Sequence, residues 1–210
     1  MKKFMQKYDV SRETFDKLQT YQNLLTEWQA KFNLVSNSSL SDAWNRHFVD
    51  SVQLFKYLPE GCENLLDFGS GAGFPGLVLA VVAAEKTLYL KVTLIESITK
   101  KTLYLKEVAA RLGLNVNIIN DRIENIPPQK ADVITSRAMT SLNGLLGYAY
   151  RFCKPETVCI FPKGKKYAEE LAEAHRHWRF KCRIEASEVS DEGRILIISN
   201  LRKITGDKNA

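Results

Sequence analysis

What this chain has little of narrows the field first. Its four cysteines (Cys62, Cys153, Cys159 and Cys182) form no C-x-x-C pair and have no histidine at zinc-finger distance, so neither a disulfide framework nor a zinc module is expected. They read as reduced, mostly buried thiols of a cytoplasmic protein, with no metal. The longest apolar run near the glycine cluster described below, Leu77 to Ala84, is far short of the roughly 20 residues a membrane-spanning helix needs. Lys2 and Lys3 are not followed by an apolar core, so no secretory signal is read there. Internal repeats and low-complexity segments are also missing.

What remains is the composition of an ordinary soluble chain. It has 210 residues, 45% hydrophobic and 26% charged, enough for one α/β domain with a small appendage. A net charge of +6 permits nucleic-acid binding without requiring it. Basic residues gather at Lys100-Lys101, at Lys163, Lys165 and Lys166, and along Arg176, Arg179, Lys181 and Arg183. Taken singly, each suits a solvated face as well as a binding patch.

Residues 65 to 200 alternate between strand and helix patterns. Strands are expected at Leu65–Gly69, Lys91–Glu96, Val116–Asn120, Asp132–Ser136 and Val158–Phe161, with helices from about Pro75, over Ile98–Leu112, over Leu142–Phe152 and over Tyr167–Trp178. Asp121–Glu124 is a turn or a short helix. Phe180–Val189 and Arg194–Asn200 face each other across Ser190-Asp191-Glu192-Gly193, a hairpin pattern. βα units followed by a hairpin give an α/β fold, a mostly parallel sheet with an antiparallel edge. The first sixty residues differ, with amphipathic helices expected over Ser11–Lys31 and Asp42–Leu58, the second burying Trp44, Phe48, Val52 and Phe55. These are too short for a core of their own and should pack on the sheet. The division expected is 1–60, a helical extension; 61–204, a Rossmann-like domain; and 205–210, a frayed polar tail.

Four glycines fall within the eight positions from Gly69 to Gly76, directly after a strand and before an apolar helix. A strand, a glycine turn and a helix N-terminus form a nucleotide crevice. Gly71-x-Gly73-x-x-Gly76 also fits the dinucleotide fingerprint, with Glu96 where a ribose-binding acid belongs. Asp67 tips the choice, because a carboxylate repels a pyrophosphate and favours a cationic ligand such as S-adenosylmethionine over NAD.

The chain resembles the RsmG (GidB) family of bacterial 16S rRNA (guanine-N7)-methyltransferases. The matching segments are Arg46-His47-x-x-Asp50-Ser51, Leu66 to Gly76, Glu96-Ser97 with Lys100-Lys101, Arg122-Ile123-Glu124, Ser136-Arg137-Ala138 and Lys163-Gly164. Gly-Ser-Gly-Ala-Gly-Phe-Pro-Gly is far more specific than a generic cofactor loop. The resemblance implies a class I S-adenosylmethionine-dependent methyltransferase fold, with a seven-stranded sheet, an antiparallel C-terminal hairpin and N-terminal helices packed on it. It implies S-adenosylmethionine as donor, and as acceptor a guanine in the decoding-region loop of 16S rRNA in the small ribosomal subunit. Cofactor contacts carry over to Gly69, Phe74, Ile123, Glu124 and Arg137, with Asp67, Gly71, Gly73 and Glu96 as further pocket residues.

The individual residues keep alternatives. Asp67 is expected to offset the ammonium of the ligand, and Glu96 to accept ribose hydroxyls or to serve as a helix N-terminal acid. Ile123 flanks adenine or packs in the core. Arg137 faces guanine O6 or a phosphate, shapes the cofactor pocket, or forms a salt bridge to Asp50 or Glu124. Lys163 is expected to meet phosphate with Lys165, and Arg46, Lys100 and Lys101 to extend that surface. His47 orients, packs or contacts RNA, and Phe161 stacks on the target base or is buried in the sheet. Arg137 and Lys163 act by positioning, since guanine N7 bears no proton for a base to remove. Other readings are a class I methyltransferase with a non-RNA acceptor, an NAD-dependent oxidoreductase, and a non-catalytic RNA-binding module. A monomer that does not meet a membrane is expected.

Overall fold

The computed structural model describes residues 1–86 and 89–204; the tail expected at 205–210 lies outside the described residues. The strands β1 (Asn64–Phe68), β2 (Lys91–Ile95), β3 (Val116–Ile119), β4 (Ala131–Ser136) and β5 (Cys153–Lys163) are parallel. β6 (Trp178–Ala186) and β7 (Arg194–Lys203) form the hairpin, and β7 pairs antiparallel with β5. One seven-stranded sheet results, in the order β3-β2-β1-β4-β5-β7-β6. β1 lies between β2 and β4, so the chain order reverses there and opens a crevice beyond the carboxyl ends of these strands.

Helices α5 (Gly76–Lys86), α6 (Thr99–Leu112), α7 (Leu142–Phe152) and α8 (Tyr167–His177) complete the units. Gly113 in the left-handed region ends α6, as the sequence suggested. One apolar cluster joins α5 and α6 to their face of the sheet, and a second joins α7 and α8 to the other. β5 runs longer than its apolar core because it includes Pro155 and Pro162, residues that argue against a strand in sequence. Of the cysteines, only Cys159 is buried and the other three are half-buried, which corrects the expectation for that group.

The N-terminal segment packs into the first of these clusters. Helix α1 (Lys2–Tyr8), not anticipated from so short a pattern, sets Phe4 against Phe15 and Trp44. Ser11 caps α2 (Arg12–Gln29) and donates through both its N–H and its Oγ to Glu85 of α5, which also accepts from Thr14. α2 sends Phe15, Leu18, Tyr21, Leu24 and Leu25 into the core.

The second helix expected, Asp42–Leu58, is broken. After α3 (Asn37–Leu40) come a π-helix (Trp44–Val49), a single turn α4 (Asp50–Val52) and a 3-10 turn (Phe55–Tyr57). The Asp50 N–H reaches back to Asn45 O, and Ser51 Oγ donates to His47 O at 2.5 Å. This widened turn puts His47, Phe48, Ser51 and Val52 all inward, whereas Trp44 and Phe55 stay half-buried.

Gly73 is where α2 meets the glycine loop. Its φ is +94°, and an added Cβ would lie 2.2 Å from Tyr21 Oη. Gly113 also has a positive φ, +63°, but open space around it. Gly73→Ala is therefore expected to cost about 2–4 kcal/mol in urea denaturation and Gly113→Ala about 1 kcal/mol. Equal losses would contradict the packing role given to Gly73.

Candidate functional site

The glycine loop divides its glycines between two jobs. Gly73 and Gly76 are buried, and a Cβ at Gly76 would lie 2.6 Å from Asp67 Cβ. Gly69 and Gly71 are half-exposed with φ of +61° and +58°, and a Cβ at Gly71 would have only Gly69 O, at 3.8 Å, within reach. The outer pair leaves bare backbone facing the crevice, where a ligand can approach closely. Met139 lies against Gly69 and forms one side of that opening.

Asp67 does not face the crevice. It is fully buried, with Oδ1 accepting from Thr135 Oγ1 at 2.7 Å and Oδ2 from the Gly76 N–H at 3.3 Å. Burial pushes its carboxyl up to about 6, against the lowering effect of the Thr135 hydrogen bond. The expectation that Asp67 meets an ammonium directly is corrected: it shapes the loop from beneath. Glu96, just past β2, is also buried, but it lies against the outer part of the loop at Gly71. Its Oε2 accepts from the Gly71 N–H and its Oε1 from the Ile98 N–H, both at 2.8 Å. A carboxylate beside bare backbone, with no lysine or arginine between Gly69 and Gly76, suits a ligand with ribose hydroxyls and positive charge. S-adenosylmethionine fits that donor set. Beyond β3, Ile123 is buried in the core and its carbonyl accepts from Arg151, while Glu124 is exposed and accepts from Tyr148 Oη at 2.8 Å.

Phe74 is buried between rings, stacked on Tyr21 with centroids 5.4 Å apart and on His47 at 4.8 Å. The Arg137 guanidinium lies 5.1 Å from the Phe74 centroid. From the end of β4, Arg137 donates to Arg46 O at 2.7 Å, to Asp50 Oδ2 at 3.1 Å and to His47 Nδ1 at 2.8 Å. Of the two salt-bridge partners expected for it, Asp50 is the one found. A guanidinium only donates, so Nδ1 accepts, and Nε2 carries the proton toward Ser39 Oγ at 3.1 Å. Burial, with the charges of Arg137 and Arg46, holds the imidazole down to about 3. His47 is thus neutral, with both ring nitrogens engaged; it orients Arg137 and borders the cavity with little exposed surface. Ala138, next in the chain, has φ +54°, a strained position for a residue with a Cβ.

A cavity of about 1140 Å³ opens beside this group. It brings together Arg46, His47, Arg137 and Lys163, walled by the α3 region, the loops after β4 and β5, and the β6–β7 turn. Lys163 donates to Thr140 O at 3.0 Å and to Glu170 Oε2 at 2.8 Å. Arg46 is exposed and donates to Ser38 O. Lys100, Lys101 and Lys165 do not line this cavity, and Lys100 rests over the Phe32 ring. Phe161 is buried in the sheet, not placed to stack on a base.

Ser39, Glu170 and Thr135 are not named as site residues by the sequence reading, and Asp50 enters it only in a matching segment and as a salt-bridge partner for Arg137. Thr135 carried a usable signal, a hydroxyl inside an apolar strand that needs a buried partner. Asp50 carried one too, sitting one helical turn after Arg46. Ser39 and Glu170 carried none.

A sheet ordered β3-β2-β1-β4-β5-β7-β6, with a glycine loop after β1 and an acid ending β2, defines the class I S-adenosylmethionine-dependent methyltransferases. The same fold occurs in a SAM-dependent methyltransferase from Aquifex aeolicus (TM-score 0.59, 22% identity, 80% of this chain and 95% of that one). It occurs also in the PH0226 protein from Pyrococcus horikoshii (TM-score 0.61, 13% identity, 83% and 98%). The family model GidB, rRNA small subunit methyltransferase G, matches residues 14–195. Ribosomal RNA small subunit methyltransferase G of Rhodospirillum centenum is 42% identical over 94% of this chain and 89% of its own length. That of Paramagnetospirillum magneticum is 42% identical over 95% and 93%. The chain belongs to the GidB family. Among the described residues no helix is long and apolar enough to cross a membrane.

The His47 environment makes stability depend on pH. Its folded pKa of about 3 lies below the ordinary 6.5, so the unfolded chain binds the extra proton first. Stability from this group is present above pH 6.5 and falls as pH drops toward 3, by on the order of 3–5 kcal/mol. Asp67, with its carboxyl raised to about 6, works in the opposite direction between pH 4 and 6, so the two partly offset. His47→Gln removes only the first effect. Urea denaturation of both proteins from pH 4 to 7.5 is expected to show a steeper acid loss in the wild type. Parallel pH profiles would contradict the neutral, buried imidazole.

Proposed function

We propose that this protein transfers a methyl group from S-adenosylmethionine to N7 of a guanine in the decoding-region loop of 16S rRNA, working as a cytoplasmic monomer with no membrane contact. The observation that carries this reading is that the acids and the imidazole beside Arg137 and Lys163 are already engaged, while Asp42, also in the cavity lining, is exposed and accepts from Asn45. The His47 Nδ1 lone pair is taken by Arg137, Asp50 by the same guanidinium, and Glu170 by Lys163. A reaction that must remove a proton from its acceptor needs a free base; guanine N7 offers a lone pair and no proton. Guanine N7 is what the resemblance to the RsmG (GidB) family implies, and the engaged side chains agree with it.

The cofactor supplies the chemistry when bound, a methyl group on a positively charged sulfur. The chain's own residues do the placing. Gly69 and Gly71 give backbone approach, and Glu96 accepts ribose hydroxyls with the lone pairs left after Gly71 and Ile98. Gly73, Phe74 and Asp67 hold the loop from behind, and the segment at Ile123 and Glu124 borders the adenine end. Arg137 uses three of its five N–H donors on Arg46 O, Asp50 and His47, leaving two for guanine O6 or a phosphate. Asp50 offsets its charge, so the cation beside N7 opposes the positive charge arriving there less than a lone arginine would. Lys163 is fixed on the opposite wall by Thr140 and Glu170. Rate then comes from holding donor and acceptor about 3–3.5 Å apart in line.

Purified protein with labelled S-adenosylmethionine and unmodified small subunits or their rRNA tests the reading. Label at guanine N7 is expected, and label only on protein or small molecules would overturn it. Two variants divide the roles. Arg137→Ala is expected to weaken cofactor binding and to lower kcat/KM by about 100-fold or more, roughly 3 kcal/mol of transition-state stabilisation. Gly71→Ala, strained by its φ of +58° but with only Gly69 O nearby, is expected to raise the cofactor Kd at least tenfold at a stability cost of about 1 kcal/mol. Unchanged binding and transfer in Arg137→Ala would remove that residue from the site.

A further inference from the structure

The cavity's cations are only partly free: Arg46 and Arg194 line it and donate to backbone carbonyls. Arg137 is paired with Asp50 and Lys163 with Glu170, so the two cations set deepest in its wall are already neutralised. RNA draws most of its binding energy from lysines and arginines free to displace counterions at its phosphates. A further group of such residues stands on the hairpin.

β6 is the outer edge of the sheet. Its alternate residues Trp178, Phe180 and Cys182 pack into the cluster under α7 and α8. The intervening Arg179, Lys181 and Arg183 therefore stand on the other face, and all three are exposed. On β7, Arg202 is directly opposite Arg179 in the antiparallel register and is also exposed. Like charges placed directly across two strands repel. The neighbouring acids are spent on other residues, Glu185 on Arg183 at 3.3 Å and Glu173 on Arg176 at 3.1 Å. Among the described residues no carboxylate is within salt-bridge distance of Arg179, Lys181 or Arg202. Cations on an edge strand discourage strand addition. That purpose does not account for Arg202 on β7, the inner neighbour, and a negative partner over both residues would relieve their repulsion.

We propose that the exposed face around Arg179, Lys181 and Arg202 is a second docking surface, taken by the phosphate backbone of the rRNA acceptor. The inference rests on the reading of rRNA as substrate. The hairpin links the two places physically. Ser187, Val189, Ser190 and Gly193 of its turn line the cavity. Arg179 lies seven residues down the strand from Ala186, about 23 Å at 3.3 Å per residue. An RNA stem next to the target nucleotide spans that distance, so the surface sets the direction from which the nucleotide enters.

The test compares wild type, R179A/K181A/R202A, and a control, R12A/K17A/R111A, that removes the same formal charge from surface pairs on α2 and α6. Each is titrated against deproteinised 16S rRNA and against assembled small subunits at several salt concentrations, with cofactor affinity and kcat at saturating acceptor measured alongside. The hairpin variant is expected to bind rRNA at least tenfold more weakly, with a log–log salt slope shallower by about 2–3, as the loss of three phosphate contacts requires. Its cofactor affinity and saturated kcat should match wild type, and the control should change far less. An unchanged rRNA Kd and slope, or an equal loss in the control, would overturn the proposal. So would a loss seen only with assembled subunits, which would give the surface to a protein component. If the wild type transferred no methyl to rRNA, the functional reading itself would fail, an outcome separate from all of these.

Discussion

A guanidinium at the end of β4, with only 18% of its side chain exposed, has to be neutralised and hydrogen-bonded where it stands. The first sixty residues meet that demand for Arg137. Asp50 supplies the charge, Arg46 a carbonyl and His47 a lone pair. Leaving such a cation without its partner costs about 3–5 kcal/mol, so the break in the helix that carries these three groups is tied to the sheet by electrostatics as well as by packing. The i, i+3 spacing of His47 and Asp50 would share a face in an α-helix too; what the π-turn at Trp44–Val49 changes is the backbone, sending the Asp50 N–H to Asn45 O while Arg46 O accepts from Arg137.

The glycine loop obeys a matching constraint from below. Asp67 is buried and costly to ionise, yet it joins β1, β4 and the start of α5 through Thr135 and Gly76. With the loop fixed from that side, and Tyr21 and Phe74 filling the space above Gly73, only Gly69 and Gly71 face the crevice. A fixed backbone surface next to Glu96 places a ligand without having to order itself first, and in a reaction without a general base, placement is the main resource.

Most of the sheet was legible in the sequence because its strands are short apolar runs between turn residues, and Leu142–Phe152 was expected and found with identical ends. The cofactor loop was legible because glycine spacing is a local signal. What stayed hidden depended on contacts distant in sequence. Nothing near residue 67 says that its carboxylate turns inward, since Thr135 lies 68 residues away. The π-turn could not be read from apolar spacing, because His47 is drawn inward by Arg137 and not by its own hydrophobicity. The basic hairpin read as a solvated face until the register set Arg202 opposite Arg179. Conversely, Lys163 read as a free phosphate ligand, and Glu170 had already claimed it.

The central claim is that these constraints serve methyl transfer to a guanine ring nitrogen in small-subunit rRNA. Mapping N7-methylguanosine in 16S rRNA from cells with and without this protein tests it most directly. The account predicts one modified guanine in the decoding-region loop, lost when the protein is absent and restored by the wild-type chain but not by the Arg137→Ala variant. An rRNA methylation pattern unchanged by removing the protein would contradict it.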